Sequence, residues 1–172
     1  MAQEKTGIIS SRGNGLTLLG PDIKVGDKAP DFKVVDNDMQ PVTLADAAGK
    51  VLLIASVPSL DTGVCDAMGR RFNQEVADLG DTVAAYTISM DLPFAQKRWC
   101  GNAGIEAIKT LSDYQERSFA QNWGLLIKEN KLIARAVYIV DKDGTVVYRQ
   151  IVPEVPTEPD YEDVMAALKK LV

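Results

Sequence analysis

The chain contains no histidine and only two cysteines, Cys65 and Cys100, among its 172 residues. Without histidine, Ser-His-Asp and Cys-His hydrolases, two-histidine zinc proteases and histidine-ligated iron sites are excluded. Two thiols alone cannot complete a four-thiolate zinc or iron-sulfur centre, so neither a metal nor another cofactor is expected. Long apolar runs are missing as well. The longest, Val51 to Val57, is far too short to cross a bilayer, and the opening stretch MAQEKTGIISSRGNG lacks the apolar core of a secretory signal. A membrane partner is not expected, and a cytoplasmic location is. The formal net charge of -5 argues against a nucleic-acid backbone or an anionic membrane as the principal partner. The chemistry left open is that of thiols and carboxylates. In a reducing cytosol, two cysteines that form a bond do so transiently, as part of a reaction, more readily than as a permanent staple.

What is present reads as one soluble domain over residues 1–172, with 46% hydrophobic and 25% charged residues. Arg12-Gly13-Asn14-Gly15 between two apolar segments predicts an N-terminal hairpin. Pro30 to Val35 and Pro41 to Leu44 read as short strands. Val51 to Val57 reads as a central strand covered on both faces. Met68, Phe72, Val76 and Leu79 share one helical face that ends at Gly80. A second central strand, Val83 to Ser89, precedes a helix opened by Pro93, carrying Phe94 to Cys100 and stopping at Gly101. Ile108 to Leu111 reads as a strand, Ser118 to Trp123 as a helix, Ala134 to Val140 and Thr145 to Val152 as a hairpin, and Tyr161 to Leu171 as a closing helix. This order suits a thioredoxin-like α/β fold with an added N-terminal hairpin, and order alone also permits other sheet topologies.

If Thr62 caps the helix that follows it, Cys65 lies in the first turn, where free N–H groups and the positive end of the helix dipole favour a thiolate. The Thr62 hydroxyl would bond either that sulfur or the helix N–H groups, and Pro58 would stiffen the turn leaving the central strand. The alternative is a small buried hydrophobe beside an ordinary cap. Cys100 falls near the carboxyl end of its helix, where the dipole disfavours a thiolate. This asymmetry suggests that Cys65 attacks a peroxide and that Cys100 condenses with the resulting sulfenic acid. Cys100 as a plain packing residue beside Trp99 remains equally open. Arg135, in a segment that otherwise reads as buried strand, needs an anionic partner, either the Cys65 thiolate or a structural carboxylate.

The run Pro58-Ser59-Leu60-Asp61-Thr62-Gly63-Val64-Cys65 resembles the peroxiredoxin signature P-x-x-x-T-x-x-C, and its wording resembles the bacterial thiol peroxidase branch. Arg71-Phe72-Asn73, Asp91-Leu92-Pro93-Phe94-Ala95-Gln96, Ala134-Arg135-Ala136-Val137 and Glu158-Pro159-Asp160-Tyr161 resemble the same branch. The resemblance implies a thioredoxin-like fold, a homodimer, a hydroperoxide substrate and a cycle closed by a disulfide within one subunit, with thioredoxin as reductant. Carried over by position, Cys65 is the peroxidatic cysteine and Cys100 the resolving one, with Pro58, Thr62 and Arg135 completing the site. A redox sensor, or a disulfide oxidoreductase on the same fold, is the alternative; the absence of a C-x-x-C motif weakens the second.

Overall fold

A computed structural model describes residues 2–172; Met1, the first residue of the expected domain, lies outside the described residues. The strands are β1 (Glu4–Ser11), β2 (Asn14–Leu19), β3 (Lys33–Val35), β4 (Pro41–Thr43), β5 (Val51–Ser56), β6 (Val83–Ser89), β7 (Lys109–Ser112), β8 (Leu126–Ile127), β9 (Ala136–Val140) and β10 (Val146–Ile151). The helices are α1 (Gly63–Val76), α2 (Pro93–Ala103), α3 (Ser118–Asn122) and α4 (Tyr161–Lys169). Seven strands form one sheet in the order β10-β9-β5-β6-β7-β3-β4, and β1, β2 and β8 form a smaller one.

The alternation of side chains along a strand explains the layering. Leu52 and Ile54 of β5, with Ala136, Tyr138 and Val140 of β9, face one core that also holds Phe119, Trp123, Ile9 and Leu18. Val51, Leu53 and Ala55, with Val137 and Ile139, face the other, where Met68 and Phe72 of α1, Trp99 of α2 and Val164 and Leu168 of α4 pack. Helices α1, α2 and α4 therefore cover one face of the large sheet, and α3 and the N-terminal hairpin cover the other. All six residues of β5 are buried, as its unbroken apolar run predicts.

Several boundaries differ from the sequence reading. Helix α2 does not stop at Gly101 but runs through it to Ala103. Gly104 ends it in the left-handed conformation, donating its N–H to the Cys100 carbonyl. The α1 pattern loses α-helical form after Val76 and continues as a 3₁₀ turn in which Gly80 adopts a φ of 66°. Strand β9 starts at Ala136, so Arg135 precedes the strand instead of lying in it. The two-residue β8 was not expected; it exists through its pairing with β2.

Candidate active site

Sheet register builds this site. β5 runs parallel to β6, with Ser56 opposite Ile88, and antiparallel to β9, with Ser56 opposite Ala136. The chain leaving β5 through Val57 and Pro58 therefore emerges beside Arg135 on one side and beside Ser89 and Asp91 on the other. Val57 N–H bonds the Ile88 carbonyl at 3.1 Å, and Ser56 Oγ donates to the Ala134 carbonyl at 2.7 Å, fixing both flanks.

Thr62 caps α1 from an extended conformation, its hydroxyl accepting from the Cys65 N–H at 3.4 Å and donating to the Ser59 carbonyl at 3.1 Å. Of the two roles open to that hydroxyl, the structure takes the cap. Cys65 itself is fully buried in the first turn. Its neighbours Gly63 and Val64 line a cleft of about 530 Å³ together with Pro58, Thr62 and Arg135. The opposite wall comes from the N-terminal hairpin (Arg12, Asn14 and Leu16) and from Val155 and Pro156. Glu154 joins those two walls, accepting from Ser10 Oγ at 2.6 Å and from the Arg12 N–H at 2.5 Å. The hairpin is thus part of the cleft as well as of the fold.

Arg135 is 2% exposed. Its Nε donates to the Val155 carbonyl at 3.1 Å and its Nη1 to the Met68 sulfur at 3.6 Å. No carboxylate lies within ion-pair distance of it among the described residues, which removes the structural salt bridge as its explanation. A buried guanidinium held only by neutral acceptors is a costly arrangement, and it leaves the cleft wall attractive to a negatively charged atom.

A second layer, absent from the sequence reading, ties the Cys65 loop to the start of α2. Asp91 Oδ1 accepts from Ser59 Oγ at 2.7 Å, and its Oδ2 accepts from the Leu60 N–H at 2.8 Å and Ser89 Oγ at 2.7 Å. Buried Gln96 of α2 donates to Ser89 Oγ at 3.0 Å and to the Leu111 carbonyl at 2.8 Å. Farther along, Trp99 Nε1 donates to Asp66 Oδ1 at 2.6 Å, joining the residue before Cys100 to the residue after Cys65.

Both cysteines are free; no disulfide joins them. Cys100 is half-buried and lines a different cleft, of about 510 Å³, that shares no residue with the first. Its environment is built from β7 and the β3–β4 turn, with Thr110 Oγ1 at 3.2 Å and Asn37 Nδ2 at 3.8 Å from the sulfur.

The family model described as Redoxin matches residues 24–165. A thiol peroxidase of Halalkalibacterium halodurans is 53% identical over 161 residues, 94% of this chain and 96% of that protein. One from Bacillus subtilis is 52% identical over 164 residues, covering 95% and 98%. Among solved structures, a peroxiredoxin-like protein from Aquifex aeolicus superposes with a TM-score of 0.91 at 41% identity, over 97% of this chain and 99% of that one. A thiol peroxidase from Chromobacterium violaceum, at 21% identity, shares the fold with a TM-score of 0.84 over 94% and 95%.

Proposed function

The chain belongs to the thiol peroxidases of the Redoxin family, and we propose that it performs its peroxidase chemistry through Cys65, Cys100, Thr62, Pro58 and Arg135. The Cys65 thiolate attacks the terminal oxygen of a hydroperoxide, the O–O bond breaks, and the departing alkoxide takes a proton and leaves as alcohol. Cys65 becomes a sulfenic acid. The Cys100 thiol then attacks that sulfur and expels water, closing an intrachain disulfide that thioredoxin reduces. Atoms and electrons balance: the peroxide gains two electrons, and the dithiol loses two.

The observation that carries this reading is a buried Arg135 with no carboxylate partner, lining the same cleft as Thr62, Gly63 and Val64, the cap and first turn that lead to Cys65. The positive end of the helix dipole faces the charge carried by the reacting sulfur, and the guanidinium on the adjoining cleft wall stabilises negative charge as it passes to the leaving oxygen. Pro58 and Thr62 shape the turn that holds the sulfur there. Among the described residues no helix is long and apolar enough to cross a membrane. We place the cycle in the cytoplasm, where thioredoxin keeps thiols reduced. Leu92 and Phe94, 51% and 68% exposed at the start of α2, supply an apolar contact for a homodimer next to the Asp91 network.

The deciding test treats fully reduced protein with one equivalent of cumene hydroperoxide, then counts thiols by alkylation and determines mass without reductant. Loss of both thiols in a species of monomer mass is the expected result. Survival of both would refute the cycle and return the fold to disulfide exchange or sensing.

A further inference from the structure

Cys100 sits in a closed ring of hydrogen bonds drawn from three elements. Asn37, in the turn between β3 and β4, donates through Nδ2 to Cys100 Sγ at 3.8 Å. Thr110 of β7 donates its hydroxyl to Asn37 Oδ1 at 2.9 Å. The third side is the 3.2 Å contact between Thr110 Oγ1 and Cys100 Sγ. A threonine hydroxyl carries a single proton, and here Asn37 Oδ1 takes it, so the proton on the last side is the thiol's own. The ring closes only with Cys100 as an S–H donor turned toward β7.

Thr110 is 1% exposed, so its hydroxyl cannot trade these bonds freely for water. The indole of Trp99, next to Cys100, lies flush against Gly69 of α1, one turn beyond Cys65. The sulfur that must reach Cys65 is therefore bonded into a different cleft while its own helix is seated against α1.

We propose that Asn37 and Thr110 are positioning residues for the resolving step: they hold the Cys100 sulfur turned toward β7 in the second cleft, and their release sets the rate of disulfide closure. This rests on the reading of Cys100 as the resolving cysteine. While the ring holds, the Cys65 sulfenic acid waits, exposed to a second hydroperoxide that would carry it to sulfinic acid. The ring thereby governs how the sulfenic acid divides between closure, which releases water, and over-oxidation, in which the second hydroperoxide is reduced to alcohol.

The test follows closure by stopped-flow tryptophan fluorescence and the Cys65 sulfinate fraction by mass, in Thr110→Val, Asn37→Ala and Thr110→Ser. Losing one net hydrogen bond from the parked state should speed closure about fivefold in Thr110→Val and Asn37→Ala. The sulfinate fraction at fixed peroxide should fall in step. Thr110→Ser, which keeps the hydroxyl, should behave as the parent chain. Asn37 lies in a half-buried turn, so Asn37→Ala serves where the buried Thr110→Val perturbs folding. Unchanged or slower closure in folded Thr110→Val or Asn37→Ala, or closure by Thr110→Ser as fast as by Thr110→Val, overturns the proposal while leaving the peroxidase cycle intact. If the unmodified chain forms no Cys65–Cys100 disulfide at all, the parent reading fails instead, and this inference falls with it.

Discussion

Replacing Gly69 by alanine sets two effects of opposite sign against each other. Gly69 is interior to α1, where alanine gains roughly 0.5 to 1 kcal/mol in helix propensity. A Cβ built there, however, meets Trp99 Cη2 at 2.5 Å and Cζ2 at 2.9 Å. Trp99 is buried and its ring is rigid, so the indole cannot yield by a small torsion and must move as a body. Overpacking of this kind costs about 1 to 3 kcal/mol. Displacing the indole also strains its bond to Asp66, a charged acceptor, worth roughly 1.5 kcal/mol at the low end because Asp66 is partly solvated. The steric side wins: a net loss of about 1 to 3 kcal/mol is expected, or a Tm lower by roughly 2 to 10 °C in a chain of this size.

The loss falls on the α1–α2 seam, which the proposed disulfide closure opens, so it should be largely absent once the helices have parted. Gly69→Ala should therefore close its disulfide about tenfold faster after one equivalent of hydroperoxide, each ~1.4 kcal/mol being a factor of ten. Thermal melting monitored by circular dichroism and stopped-flow fluorescence read the two quantities. A Tm equal to or above that of the parent chain would mean that propensity prevailed and that the Trp99 contact is slack. A lower Tm with unchanged closure would mean that the seam stays shut during closure, and the reasoning would fail.

Three further outcomes are expected. Asp91→Asn keeps the shape but turns an amide donor either toward the Ser59 donor or toward the Leu60 and Ser89 donors, losing about 2 to 4 kcal/mol; hydrogen exchange at Leu60 to Cys65 should accelerate selectively, and uniform acceleration across the chain would refute the local assignment. Arg135→Met, which removes the charge and its donors, should lower the second-order rate with hydroperoxide by about 10² to 10³, the usual effect of removing one donor to developing charge; a loss under tenfold in folded protein would remove Arg135 from the chemistry. Burial raises the Asp113 carboxyl to about 6, against backbone donation from Ala120 and Phe119 that opposes the rise. The folded chain then holds that proton more tightly than the unfolded one, so this stabilisation is complete below pH ~4 and is lost as pH rises to ~6, about 3 kcal/mol in all. Urea unfolding of Asp113→Asn against the parent should show the difference moving by that amount in favour of the variant across this window; parallel curves would refute it.

Legibility in the sequence followed the range of each interaction. β5 and β6 could be read because a buried central strand is an apolar run bounded by turns. The Thr62 cap could be read because it is local, spanning Thr62 to Cys65. The end of α2 could not, since Gly101 and Gly104 are equivalent as residues and only the path into β7 selects which one turns left-handed. Arg135 drew attention as a charge in an apolar segment, but its partners, Met68 and Val155, come from elements far along the chain, and one of them is a backbone carbonyl. Asp91 stood in a segment noted for its resemblance, yet nothing local says that its carboxylate reaches Ser59 and Leu60. Asn37 and Thr110 carried no signal: an asparagine in a turn and a threonine in a strand are the residues those places ordinarily favour.

A cycle that uses Cys65 in this way makes opposing demands on one short segment. Attack needs the first turn of α1 rigid, so that the helix dipole and Arg135 act on a sulfur in a fixed place. Closure needs the same turn to let go. The structure connects both demands to α2: Asp91, just before that helix, anchors the Cys65 loop, and Trp99 within it anchors α1 beside Asp66. Because Cys65 is fully buried, a sulfenic oxygen added to its sulfur must crowd the packed first turn or enter the adjoining cleft. An oxygen that crowds the turn presses on the Asp91 and Trp99 ties, whereas one that enters the cleft leaves them as they stand with the reduced thiol. In the first case oxidation itself loosens the seam, and the reduced site stays ordered without obstructing its own turnover.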